Sequence, residues 1–170
     1  MARVYLSLGS NIMPHTYISA ALDELADCFG ELIISSVYES EAVGFDGANF
    51  LNLVVGIDTA YGVGDLSQTL KKMEDRHGRL RTGPKFSGRT LDIDILTYDD
   101  AQGVVDGIAL PRDEIVKNAF VLLPLSEIAA DEHHSLLNVS FSHLWSQYCE
   151  SQKLWKIDFD WRKRRISQAD

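Results

Sequence analysis

The sequence predicts an α+β fold in which one antiparallel sheet carries two helices packed on a single face. Three observations predict it. Apolar and polar residues alternate in short segments, apolar residues recur at helical spacing in two longer ones, and the segments run strand, helix, strand, strand, helix, strand. That order is the split βαβ arrangement, which puts both helices on the same side of the sheet. The other sheet face is then expected to stay open for a ligand or a partner.

The first strand is read from Val4, Leu6 and Leu8 alternating with Tyr5, Ser7 and Gly9, and it ends at Gly9-Ser10-Asn11. Ile18, Ala21, Leu22, Leu25, Cys28 and Phe29 then recur at helical spacing, and Gly30 stops that helix. Residues 32–38 are apolar and β-branched and form the second strand. A loop rich in Gly and Asp, residues 39–48, leads to a third strand at 49–58. Asp65 with Gln68 three positions on reads as a capping box, opening a helix with Leu66, Leu70 and Met73 on its inner face. Gly78 sits where a C-cap glycine belongs. A loop at 79–88 precedes the fourth strand, 89–98. Beyond it come a turn at Leu110-Pro111, an apolar stretch at 119–128 and a helix near 141–149. There is no internal repeat and no linker. One domain over residues 1–170 is expected, with 131–170 as a C-terminal extension.

Composition narrows the function. The net charge of −9 argues against general nucleic-acid binding, and no run of 18 apolar residues exists to span a membrane. The N-terminus enters a strand pattern at once and has no signal-peptide layout, so a cytoplasmic protein is expected. Cys28 and Cys149 lack metal or redox spacing, and Cys28 is expected as a small buried hydrophobe on its helix. His133, His134 and His143 read as scattered surface histidines. The acidic average hides one basic segment: residues 71–89 hold seven Lys/Arg against two Asp/Glu. Such a segment suits either a small polyanion or a solvated loop. The basic run from Trp161 to Arg165 reads as a solvated terminus.

The residues with the most chemistry are Asp92 and Asp94. In Leu91-Asp92-Ile93-Asp94-Ile95 alternate side chains face opposite sides, so the leucine and isoleucines turn under the helices and the aspartates turn to the open face. Their Cα atoms lie about 6.5–7 Å apart by strand rise. Two carboxylates so close repel, and divalent cations that grip phosphate oxygens remove that cost; magnesium suits such a pair. A solvated strand face paired with arginines is the other reading. Arg79, Arg81, Lys85 and Arg89 precede the pair in a loop with Gly83, Pro84 and Gly88, and guanidinium groups grip phosphates bidentately. Neither a Gly-x-x-x-x-Gly-Lys-Ser/Thr loop nor a Gly-x-Gly-x-x-Gly motif occurs, which disfavours P-loop and dinucleotide folds. On the third strand Leu51, Leu53, Val55 and Ile57 share one face and leave Phe50 and Asn52 on the other, an aromatic and an amide suited to a flat heterocycle.

These segments, taken together, are similar to a known family. Gly9-Ser10-Asn11, Phe50-Leu51-Asn52, Gly78-Arg79-Leu80-Arg81, Gly88-Arg89-Thr90-Leu91-Asp92-Ile93-Asp94-Ile95, Leu110-Pro111 and Phe120-Val121-Leu122-Leu123-Pro124-Leu125 occur in that order. Over residues 3–129 the chain resembles the 6-hydroxymethyl-7,8-dihydropterin pyrophosphokinases of folate biosynthesis. The resemblance implies a ferredoxin-like sandwich and transfer of pyrophosphate from ATP to a pterin alcohol, releasing AMP. It implies two Mg2+ ions on Asp92 and Asp94, and phosphate contacts from Arg79, Arg81 and Arg89. Glu74, Ile95 and Arg112 would line the nucleotide site. Asn11, Ser40, Ala42, Val43, Phe50, Asn52 and Phe120 would hold the pterin. The partners implied are small molecules only, and the chain is expected to act as a monomer. The chain departs from the family pattern at Ser40-Glu41, Phe86, Ser87-Gly88, Arg112 and Asn118, with Lys117 as a candidate substitute for the arginine usual at Asn118. A diverged relative with another pterin-like substrate and a non-catalytic ligand-sensing module are the competing readings; the second has no need of the aspartate pair.

Overall fold

A computed structural model describes residues 1–42, 47–78 and 90–170. In chain order the elements are β1 (Ala2–Ser10), α1 (Pro14–Phe29), β2 (Ile33–Ile34), β3 (Tyr38–Ser40), β4 (Phe50–Thr59), α2 (Val63–Arg76), β5 (Asp92–Tyr98), β6 (Gly103–Val105), β7 (Ile108–Leu110), α3 (Glu114–Lys117), α4 (Ala119–Ile128), α5 (Phe141–Gln147), β8 (Leu154–Lys156), β9 (Phe159–Trp161) and β10 (Arg164–Ser167). The main sheet is antiparallel with order β5-β1-β4-β3-β8, and β2 also pairs with β4. The α+β sandwich is therefore the one expected.

Local differences have local causes. The second strand is broken into β2 and β3 because Ser35 leaves the regular ladder: its Oγ accepts from Val54 N–H at 2.9 Å, where a strand would offer a carbonyl. Helix α2 starts at Val63 with Gly62 as N-cap and no side-chain cap, so Asp65 lies in the first turn and favours the positive helix end instead of capping it. Among the described residues regular pairing on β5 begins at Asp92; the expected start at 89 lies outside them. Gly30 and Gly78 both take positive φ after their helices, as C-terminal glycines do.

One face of the sheet carries Val4, Leu6, Leu8, Leu53, Val55, Ile57, Ile93 and Ile95 under α1 and α2, which bury Ile18, Leu22, Leu25, Leu66, Leu70 and Met73. Contrary to expectation, the other face is not open throughout. Helix α4 covers half of it, packing Val121, Leu122 and Leu125 against Tyr5, Val54 and Leu96, with Ile115 and Phe141 closing the cluster. The Tyr5 hydroxyl donates to the Glu132 carboxylate, and burial followed by that partner pushes the phenol up to about 12. Tyr5 lies over Gly56, its β4 partner, where an added Cβ would come 2.9 Å from Tyr5 Cε1 and 3.3 Å from Ile33 Cβ. Gly56→Ala is expected to destabilise the fold by about 1–3 kcal/mol through overpacking, read as a lower urea midpoint at unchanged slope.

The C-terminal segment is built into the fold rather than frayed. β8 extends the main sheet, and the β9–β10 hairpin adds Phe159 and Trp161 to the first core. Trp161 Nε1 donates to Asp23 at 3.0 Å, and Phe159 stacks on His15 at 5.2 Å between ring centroids. The basic run 161–165 is therefore not a loose terminus: its tryptophan is buried, and Arg162 and Arg165 pair with Asp23 and Asp160. Cys28 is exposed, not buried, because Phe29 takes the inward position of the last turn and packs edge-on against Tyr61. His134, expected at the surface, is buried; burial keeps its pKa low, and its Nδ1 accepts from Leu136 and Leu137 N–H at 3.3 and 3.2 Å. Among the described residues no helix is long and apolar enough to cross a membrane.

Candidate active site

Among the described residues, the half of the second face that α4 leaves uncovered begins where the apolar residues stop. Along β1 the side chains on this face are Tyr5, Ser7 and Gly9, so they shrink toward the C-terminal end of the strand. Asp94 pairs with Ser7 and Asp92 with Gly9, while Gly9 pairs with Asn52 on its other side. Small residues on β1 thus leave room between two polar columns, the aspartates on β5 and Asn52 on β4. Ile93 and Ile95, of opposite parity, are in the core.

β5 lies at the sheet edge, next to α2. Glu74 reaches that edge from α2 and accepts from Ile93 N–H at 2.8 Å, between the two aspartates. Ser67, Leu70, Lys71, Glu74, Asp92, Ile93, Asp94, Ile95, Ile108 and Arg112 enclose a cavity of about 200 Å³. Every described residue expected at the nucleotide lines it: Glu74, Asp92, Asp94, Ile95 and Arg112. Sequence reasoning missed Ser67 and Lys71, although with Leu70 and Glu74 they form an i, i+3, i+4, i+7 stripe on α2.

Carboxylates dominate the described lining of this cavity. Asp94 is raised to about 7 by burial first and by the charge of Asp92 second; Arg112 opposes the shift, and Glu114 and Glu74 add to it. Arg112 Nη2 stands 3.8 Å from Asp94 Oδ1 but 2.8 Å from Glu114 Oε1, so its charge is shared. Clustered hard oxygen donors fit a divalent ion such as magnesium, which takes one or two carboxylates and fills its remaining positions with water and phosphate. No cluster of three or more His, Cys, Asp or Glu that would form a closed metal cage exists among the described residues.

The other column is ordered by its own hydrogen bonds. Asn52 is buried and donates through Nδ2 to Ser40 Oγ at 2.8 Å, which fixes the amide from the β3 side. Phe50, at the start of β4, pairs with Ser40 and lies near Gly9. Asn11 donates to Ala48 O at 3.1 Å and so ties the end of β1 to the segment before β4. Phe120 stands in the first turn of α4, half-buried against the second core. Ala42 is half-buried at the edge of this region. Lys117 pairs with Asp113 at 2.9 Å, and Asn118 is the N-cap of α4. Val43, Arg79, Arg81, Lys85, Phe86, Ser87, Gly88 and Arg89 lie outside the described residues.

Comparison with known proteins shows the family and the fold. A family model described as 7,8-dihydro-6-hydroxymethylpterin-pyrophosphokinase matches residues 5–130. A 2-amino-4-hydroxy-6-hydroxymethyldihydropteridine pyrophosphokinase of Aquifex aeolicus is 37% identical over 138 residues, covering 80% of this chain and 86% of that protein. Its counterpart in Methylorubrum extorquens is 36% identical, covering 77% of this chain and 85% of that protein. Among solved structures, Plasmodium falciparum HPPK-DHPS superposes with a TM-score of 0.74 for a triple mutant with SDX-DHP and 0.72 for the wild type, at 15% and 14% identity. Those matches cover 98% of this chain and 46% and 50% of the Plasmodium chains, so the chain spans about half of them and the likeness is one of fold.

Proposed function

The chain belongs to the 7,8-dihydro-6-hydroxymethylpterin-pyrophosphokinase family, and from that premise we propose that it transfers the pyrophosphoryl group of ATP to the hydroxymethyl oxygen of 6-hydroxymethyl-7,8-dihydropterin, releasing AMP, in folate biosynthesis. The observation that carries the reading is the convergence of Glu74, Asp92, Asp94, Ile95 and Arg112 on one cavity beside the polar half of the sheet face. We assign the protein a cytoplasmic place, a monomeric state and small-molecule partners only.

Asp92 and Asp94 would hold two magnesium ions, which supply charge neutralisation of the triphosphate when bound. Glu74 keeps the strand carrying both aspartates in register through Ile93 N–H. Ile95 lines the nucleotide cavity, and Arg112, oriented by Glu114, donates to phosphate oxygen. Arg79, Arg81 and Arg89 complete the phosphate contacts in this reading. Phe50 and Phe120 stack on the pterin, while Asn52, Ser40, Ala42, Val43 and Asn11 read its edge and close its cleft.

The hydroxymethyl oxygen attacks the β-phosphorus in line. A new O–P bond forms as the bond from the β-phosphorus to the oxygen bridging it to the α-phosphate breaks. AMP leaves with that oxygen, and the hydroxyl proton passes to solvent. No side chain is assigned as general base, because phosphoryl transfer is driven mainly by positioning and charge stabilisation. With ATP, magnesium and the pterin alcohol, AMP and the pterin pyrophosphate are expected in equal amounts, with no turnover in EDTA. Formation of ADP, or AMP release that does not depend on the pterin, would overturn the assignment.

A further inference from the structure

Helix α4 begins at Ala119, and its N-cap Asn118 makes no side-chain cap hydrogen bond. The first N–H groups of a helix have no partner inside it and need one from elsewhere. Here the partner comes from 33 positions away: Gln152 Oε1 accepts from Ala119 N–H at 2.7 Å. The same amide donates through Nε2 to Lys117 O at 3.2 Å, and the Tyr148 hydroxyl donates to that carbonyl at 2.7 Å. Gln152 therefore clamps the backbone on both sides of Asn118. The next residue after the clamp is Phe120.

Two residues beyond Gln152 the chain enters β8, where Leu154 pairs with Ser40, Trp155 with Glu39 and Lys156 with Tyr38. Ser40 is the residue that holds Asn52. The register is locked further along: Ser167 Oγ accepts from Val37 N–H at 2.8 Å and donates to Ile157 O at 2.6 Å, and Ile157 N–H donates to Val37 O at 3.0 Å. Residues 152–156 thus tie the start of α4 to the strand beneath Asn52. They lie outside the stretch 5–130 that the family model matches.

We propose that Gln152 is a positioning residue for the pterin, holding Phe120 at a fixed distance from the Ser40–Asn52 wall through the start of α4 and β8. The inference rests on the pterin reading above. It predicts a loss confined to the pterin. Binding of 6-hydroxymethylpterin is followed by its fluorescence in the presence of magnesium and α,β-methylene-ATP. Gln152→Ala is expected to raise the pterin Kd about fivefold, the equivalent of one modest hydrogen bond, with kcat and the Kd of the nucleotide analogue unchanged. Gln152→Glu keeps an acceptor for Ala119 N–H, favoured at a helix N-terminus, but loses the donor to Lys117 O, so its pterin affinity should fall between those of Gln152→Ala and wild type. Ser140→Ala, which removes the cap that His143 N–H meets on α5, is the control for general loosening.

A pterin Kd for Gln152→Ala within twofold of wild type, a Gln152→Glu affinity no better than that of Gln152→Ala, or an equal effect from Ser140→Ala would overturn the proposal. Phe120→Ala separates the two levels. If it weakens pterin binding and Gln152→Ala does not, the positioning role falls alone; if Phe120→Ala leaves binding unchanged, the pterin reading falls with it.

Discussion

Asp94→Asn is expected to slow AMP release by about a thousandfold, the usual scale for removing one preorganised charged group from a phosphoryl-transfer site, while stabilising the ligand-free protein above neutral pH. The two effects have one cause. Asp94 is raised to about 7 by burial and by Asp92, so its ionised form is strained whenever no cation is present. A carboxyl whose folded pKa is raised contributes stability that is fully present below its ordinary value near 4 and is lost as pH rises through the folded value. Between about pH 4 and pH 7 this group therefore makes the wild type more stable on acidification. The asparagine variant lacks that slope. In EDTA at pH 8 it should be more stable by on the order of 1–3 kcal/mol, measured as a higher urea midpoint. Magnesium with nucleotide should raise the wild-type midpoint by more than the variant's. A variant less stable than wild type at pH 8 would contradict this account of the charge balance.

Leu122→Ala is expected to cost about 2–5 kcal/mol, the range for truncating a fully buried leucine. Leu122 is 1% exposed in the cluster that α4 forms over Tyr5, Val54 and Leu96. If that half of the sheet face were open to solvent, the substitution would fall within about 0.5 kcal/mol of wild type. A urea melt decides between them. The result also bears on the site, because Phe120 stands in the first turn of α4.

Much of this architecture is legible in the sequence wherever one residue type repeats at one period. Val4-Leu6-Leu8 and Ile93-Ile95 alternate cleanly, and the aspartates between the isoleucines fall on the opposite face as the pleat requires. What was not legible involves distant partners or aperiodic runs. The stretch Ala119–Leu125 is apolar at nearly every position, which hides which side it docks, and its target is three single residues on separate strands. Phe159 and Trp161 sit among aspartates and arginines, so a core-forming hairpin looks like a charged tail. The Ser35 hydroxyl replacing a carbonyl and the Glu74 carboxylate on Ile93 N–H are long-range bonds with no local signature. The nucleotide side of the site was nonetheless nameable residue by residue, because strand alternation singles out Asp92 and Asp94 and the family resemblance implies Glu74, Ile95 and Arg112.

The most direct test of the paired carboxylates is Mn2+ binding followed by electron paramagnetic resonance with α,β-methylene-ATP present. Wild-type protein should take up two ions per chain, and Asp94→Asn should lose at least one of them at the same free Mn2+. Equal uptake by both proteins would mean that the nucleotide's cations are held somewhere other than on Asp92 and Asp94.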